Sequence, residues 1–263
     1  SLFFSKNNCP MTDIIVILYT VGDYVKKEKK YAKMPDGSEI YYEKSGQGFP
    51  LFLLHGNDGS GRFFSEQVPV LERYYTVYLV DSRGHGRSTN EASMLNFQLM
   101  AEDLNTIMLL EKIDQADFLG FSDGANLALV FASSFPKKVH RLILNSGNTL
   151  VKGVRFSARV ISNIHYAWVW LLSLFRPSLR KNLLVIKLLL HDIGLTENDL
   201  KKINSPTLII VGKKDVIKLK HSLYIAKTIP KASFVLVKEQ GHELARKDPE
   251  RFNREVLQFL SET

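Results

Sequence analysis

The stretch Phe118-Leu119-Gly120-Phe121-Ser122-Asp123-Gly124-Ala125 restricts what this chain can fold into more than any other part of it. The apolar run Ala116–Phe121 has strand length, and residues 125–134 read as a helix. A strand that enters a helix with no loop between them must turn sharply, and the turn crowds neighbouring backbone. Gly120 and Gly124 suit that crowding, because a Cβ at either place would clash. Ser122 is then held in a strained conformation at the tip, its hydroxyl exposed and the start of a helix behind it. The backbone N–H of Asp123 would face an oxyanion forming on a bound molecule.

The remaining apolar runs alternate between strand and helix. Residues 31–34 and 39–43 read as strands around Pro35-Asp36-Gly37-Ser38, a strong hairpin signal. Residues 49–54 form a continuous apolar run, as in strands buried on both faces. That run ends in the glycine-rich His55-Gly56-Asn57-Asp58-Gly59-Ser60-Gly61. A helix over 62–73 follows, then a strand over 76–80 that ends in Asp81-Ser82-Arg83-Gly84-His85-Gly86-Arg87-Ser88. A helix over 97–111, strands over 139–144, 206–211 and 232–237, and a closing helix over 249–260 complete the series. The pattern predicts an α/β fold with a mostly parallel central sheet and helices on both faces. Ligands of such sheets bind beyond the carboxyl ends of the strands. His55, Ser122, Asp215 and His242 each follow a predicted strand, so the topology gathers them at one edge.

Residues 148–204 interrupt the alternation. The segment is apolar and basic: between Lys152 and Lys187 stand seven Lys/Arg and no Asp/Glu. Most of the excess behind the net charge of +8 therefore lies here. The boundaries read as an N-terminal extension over 1–28, a core over 29–147 and 205–263, and a short helical lid over 148–204. Elsewhere the lysines are spread out and accompany no nucleic-acid motif, which argues against a nucleic-acid partner. The 263 residues, 45% hydrophobic and 24% charged, suit one large domain. The single Cys9 excludes an intrachain disulfide framework and a cysteine-based zinc site, and it fits a cytoplasmic setting. No apolar run reaches the ~18 residues of a membrane span. Residues 14–21 read as a short strand or helix, and Met11 reads as a natural start.

His55-Gly56, Asp81-x-Arg83-Gly84-His85-Gly86-x-Ser88, Gly120-x-Ser122-x-Gly124, Gly212-x-x-Asp215 and Gly241-His242 together resemble the α/β-hydrolase fold family, in its serine-hydrolase, esterase-like branch. The resemblance covers about residues 29–263 and includes the family's Ser, Asp, His order. It implies a nucleophile elbow at Ser122 and a triad completed by Asp215 and His242. It also implies an oxyanion hole at the backbone N–H groups of Asn57 and Asp123. Serine needs an adjacent base to attack, which His242 would supply while Asp215 holds the imidazole tautomer. Asp192 and Asp199 compete with Asp215, but only Asp215 directly follows a strong strand. A serine at the nucleophile position argues against the dehalogenase and epoxide-hydrolase branches, which use aspartate there. No His-Glu-x-x-His spacing occurs, and no cofactor or metal is implied.

The acyl group is not written in the triad. Tyr166, Trp168, Trp170 and Phe175 in the lid would line an apolar substrate pocket, with His55 at the loop beside it, or would pack the lid on the body. The lid's cations suit an anionic substrate, an anionic membrane surface or plain solvation. The reading favoured is a carboxylesterase-like hydrolase of small or medium acyl esters, acting through an acyl-enzyme. Carbon–carbon bond hydrolysis, lactone hydrolysis and perhydrolysis with the same triad stay open. So do a ligand receptor on this fold, a lipid-surface protein and a homo-oligomer.

Overall fold

The structure, a computed structural model of the chain, describes residues 27–262. The readings placed on Cys9, Met11 and residues 14–21 fall outside the described residues. The Asp36-Gly37 turn joins β1 (Glu28–Lys33) to β2 (Glu39–Ser45), with Gly37 at a φ of 86° that favours glycine. The sheet continues with β3 (Phe49–Leu54), β4 (Tyr75–Val80), β5 (Ala116–Phe121), β6 (Val139–Asn145), β7 (Thr207–Gly212) and β8 (Ala232–Val237). The eight strands lie in the order β1-β2-β4-β3-β5-β6-β7-β8. β2 runs antiparallel to both neighbours, and all pairs from β4 to β8 are parallel.

The helices are α1 (Val68–Leu71), α2 (Phe97–Leu110), α3 (Asp123–Ser134), α4 (Phe156–Ser173), α5 (Arg180–Lys187), α6 (Glu197–Lys201), α7 (Leu219–Thr228), α8 (Leu244–Lys247) and α9 (Pro249–Glu262). Of these, α2, α3 and α7 cover one face of the sheet and α1, α8 and α9 the other. Within β3, Phe52 and Leu54 join the core under α2, α3 and α7, while Leu51 and Leu53 join the core under α1, α8 and α9. Alternate side chains of one strand thus feed two cores, which is why strand residues on both parities had to be apolar. α3 is buried along its length from Asp123 to Ala132, as a helix apolar on every side must be.

Two sequence expectations need correction. Residues 62–73 do not form one helix: a 3₁₀ turn over Gly61–Phe64 is followed by the four-residue α1. Pro69 is the cause. Its ring would collide with the carbonyl four residues back, so it fits only in the first turn of a new helix. The second is an omission, α7 between β7 and β8, whose amphipathic run sequence reading passed over.

The chain reverses direction across the sheet at β3. It moves from β3 outward to β4, then returns to place β5 on the other side of β3. The loops after β3 and β5 diverge there, and they carry His55 and Ser122. The Asp81–Ser88 loop braces this edge. Asp81 accepts from the Gly61 N–H at 2.8 Å and from the Arg87 N–H and Nε at 2.9 Å each. Arg83, with a side chain 1% exposed, donates to both carboxylate oxygens of Asp103 on α2 at 2.7 and 2.6 Å. It also meets Asp36 and Ser38 in the β1–β2 turn, so one guanidinium ties three elements together. Removing Asp103 takes away two of the five hydrogen bonds that this buried cation donates. Asp103→Ala is expected to cost about 3–5 kcal/mol, read as a lowered guanidinium unfolding midpoint with an unchanged slope.

Candidate active site

The elbow is built by close approach. A Cβ on Gly124 would overlap the Leu54 and His55 carbonyls of the β3 end, and one on Gly120 would overlap backbone of Gly124 and Ala125. With both methyls absent, α3 starts directly behind β5. Ser122 takes φ 53° and ψ −117°, a conformation disfavoured for a residue with a Cβ. Its N–H donates to the Asn145 carbonyl at 2.8 Å, and its carbonyl accepts from Ala125 and Asn126 to open the helix.

His242, after β8, reaches Ser122 across 120 residues of sequence. Its Nε2 lies 3.1 Å from Ser122 Oγ, and its Nδ1 lies 2.8 Å from Asp215 Oδ1. Asp215 can only accept when ionised, so Nδ1 carries the proton and Nε2 is left to accept from the serine hydroxyl. Asp215 is 2% exposed. Its Oδ1 also takes the Ile217 N–H at 2.9 Å, and its Oδ2 takes the Ser146 hydroxyl at 2.6 Å. Phe121 packs against the His242 ring with centroids 4.9 Å apart and limits where the imidazole can swing. His242 stays partly open, its side chain 23% exposed.

The His55-Gly56-Asn57 loop passes directly over the elbow; a Cβ on Gly56 would stand 3.2 Å from that of Ser122. Asp123 is the first residue of α3, so its N–H has no carbonyl one turn back to bind. Among the described residues no acceptor is bonded to the N–H of Asn57 or of Asp123. The positive end of α3 adds to the same spot. The side chains of this pair hold the loops together: Asn57 Nδ2 donates to Asp123 Oδ2 and to the Val185 carbonyl of α5, each at 2.9 Å. Burial pushes the Asp123 carboxyl up, against the hydrogen bond from Asn57.

Ser122, Asp215 and His242 are therefore brought together, with the Asn57 and Asp123 amides beside them. His55 is 2% exposed, with Nδ1 on the Gly56 carbonyl at 2.7 Å and Nε2 on the Ser82 N–H at 3.0 Å. Both ring nitrogens are engaged, so it shapes the loop and has no nitrogen free for a ligand. His85 braces the neighbouring turn through the Arg83 carbonyl at 2.8 Å. Asp192 holds the Val151 N–H and Asp199 caps α6 with Thr196, both away from the imidazole. Tyr166 is half-buried on α4, but Trp168 and Trp170 stand 59% and 50% exposed, and among the described residues no ring contact ties either to the site. Sequence reading missed Ser146 and Arg155. Arg155 Nε donates to the Asp215 carbonyl at 2.6 Å and its N–H to Val216 at 2.8 Å, tying the stem of the 148–204 segment to the aspartate loop. For Ser146 a signal existed: it directly follows a buried strand, as the other site residues do.

A sequence model of the family described as alpha/beta hydrolase fold matches residues 50–169, which include both the Asn57 loop and the Ser122 elbow. The chain has the α/β-hydrolase fold. Among its relatives, human serine hydrolase BPHL is 26% identical over 86% of this chain and 84% of its own. The 2-hydroxymuconate semialdehyde hydrolase of Pseudomonas putida is 27% identical over 82% of this chain and 89% of its own. Among solved structures, an esterase from Exiguobacterium antarcticum superposes with a TM-score of 0.75 at 23% identity, covering 89% of this chain and all of that one. That likeness is one of fold.

Burial of His55 carries a pH signature. Loss of hydration, with a smaller contribution from His85, pulls the His55 pKa down from 6.5 to about 4. The unfolded chain then binds a proton that the folded chain refuses between these values, so stability falls as pH drops from 6.5 towards 4. The loss is about 3 kcal/mol. It is present in wild type and reduced in His55→Asn, as denaturant midpoints at pH 7, 5.5 and 4.5 will show.

Proposed function

We propose that this chain is a serine hydrolase that cleaves small or medium acyl esters through an acyl-enzyme. The observation that carries the reading is the unbroken line from Asp215 through His242 to Ser122, at 2.8 and 3.1 Å. In this mechanism Ser122 Oγ attacks the ester carbonyl carbon as its proton passes to His242 Nε2. The carbonyl oxygen becomes an oxyanion facing the Asn57 and Asp123 amides at the positive end of α3. Collapse breaks the bond to the alcohol, which leaves with the proton from His242. Water then repeats the sequence on the acyl-enzyme and frees the acid. Asp215 stays ionised throughout and steadies the imidazolium that forms in each half. Ser146 is a positioning residue: its hydroxyl holds the carboxylate oxygen that His242 does not use.

Residues 148–204 act in this reading as a lid on a core of residues 29–147 and 205–263. Their hydrogen bonds to Asn57 through α5 and to the Asp215 loop through Arg155 support that role. The relatives' names favour hydrolysis as the reaction class. A second reading, carbon–carbon bond hydrolysis by the same three residues, is favoured by the 27% identity to the 2-hydroxymuconate semialdehyde hydrolase.

A p-nitrophenyl ester series of increasing acyl length tests the proposal. Wild type turns over with a maximum at short or medium length, and Ser122→Ala loses roughly five to six powers of ten in kcat. A folded wild type inactive on every ester, yet active on a vinylogous diketone, would move the assignment to the second reading. Ser146→Ala is expected to lower kcat about tenfold with KM little changed, since a charge-assisted hydrogen bond contributes about 1.5–3 kcal/mol.

A further inference from the structure

The longest helix of the 148–204 segment presents its apolar side to solvent. At helical spacing, Ala158, Ser162, Tyr166, Val169 and Ser173 lie on the side of α4 that is half-buried or buried. The opposite side carries Ile161 at 67% exposure, Ile164 at 63%, Trp168 at 59% and Leu171 at 44%. Phe156 at 71% and Phe175 at 80% extend the strip past both ends. This inverts the usual arrangement, in which the apolar stripe of a surface helix faces the core. Contiguous exposed apolar surface on this scale marks an interaction site.

The charges decide what meets it. Lys152, Arg155 and Arg159 flank one end of the strip, and Arg176, Arg180 and Lys181 flank the other. No carboxylate lies between Lys152 and Lys187; among the described residues the one acid paired to these cations is Glu91, with Lys181 at 3.2 Å. A second copy docked here would set cations against cations. Apolar residues with tryptophan on one helix side, bounded by Arg and Lys, suit the headgroup boundary of an anionic bilayer. No helix among the described residues is long and apolar enough to cross a membrane, so α4 would lie on one. We infer that the outward side of α4 is a docking surface for an anionic lipid interface, on which the helix rests in the membrane plane. This goes beyond the proposed hydrolysis and does not depend on it.

Trp168 and Trp170 are the only two tryptophans of the chain, so intrinsic fluorescence reports on this helix alone. Full-length Ser122→Ala protein, chosen so that no lipid is consumed, is mixed with vesicles of phosphatidylcholine alone or with phosphatidylglycerol added. Binding to the anionic vesicles is expected, with a blue shift of tryptophan emission and quenching by brominated lipid. Raising salt from about 0.1 to 1 M shortens the Debye length from about 10 to 3 Å and should weaken binding tenfold or more. The triple change Ile161→Glu, Ile164→Glu and Phe175→Glu should do the same, while far-UV circular dichroism and the denaturant unfolding midpoint stay as in the parent protein. The inference is overturned by any of four results. They are no binding at low salt, equal binding to phosphatidylcholine alone, binding that leaves tryptophan emission unmoved, or tryptophans already shielded from acrylamide before vesicles are added. The last result would mean that protein, from this chain or a second copy, covers the strip.

Discussion

The contact on which the rest of this site depends is the approach of α3 to the end of β3 at Gly124. Any side chain there would overlap the Leu54 and His55 carbonyls. Because that contact is close, α3 begins at Asp123 with no loop, and Ser122 is forced to a positive φ. The strain at one residue is of the order of 1–3 kcal/mol, held in place by the burial of α3 on the sheet. Its geometric consequence is larger than its energy. The Ser122 hydroxyl, the Asp123 amide and the positive end of a helix come to one point, and the loop after β3 lies across them.

Around that point the fold distributes support over distant segments. Asp215 receives four hydrogen bonds or close partners from different places: His242, Ile217 and Ser146 on its carboxylate, and Arg155 on its carbonyl. Together these donors fix the orientation of a buried carboxylate that would otherwise be left without partners. Arg83 plays the matching role on the other side, where a buried guanidinium joins the β1–β2 turn, the Asp81 loop and α2. The Asp-x-Arg-Gly-His-Gly sequence is thus scaffold for the loop beside the serine, and none of its side chains meets Ser122.

The 148–204 segment follows a different rule. Its α5 and its stem bond to the core at Asn57 and Asp215, whereas α4 turns its apolar strip away from the body. Among the described residues, packing on the domain buries only the mixed side of this helix and leaves its apolar strip exposed.

What the sequence alone determined were the features that depend on local chemistry. β3, β5 and β7 were legible because strands buried on both faces need apolar runs, and the half-buried edge strand β8 because it is rich in β-branched and aromatic residues. Ser122 was legible because only glycine fits on either side of it, and Asp215 and His242 because each follows a strand of the sheet. The helix expected over 62–73 failed at Pro69, a local signal outweighed there by the apolar run around it. Tertiary structure decided what depends on which strands become neighbours and which way a helix rolls. Ser146 reaches Asp215 because β6 lies beside β7, and His55 became loop scaffold because Ser82 arrives from β4 to occupy its second nitrogen. The spacing of α4 predicts one apolar side and one mixed side. Only the packed chain settles that the mixed side faces the body, so Trp168 and Trp170, expected at a substrate pocket, stand in solvent. Helical periodicity fixes the angle between residues of one helix but not the rotation of that helix against the rest of the protein.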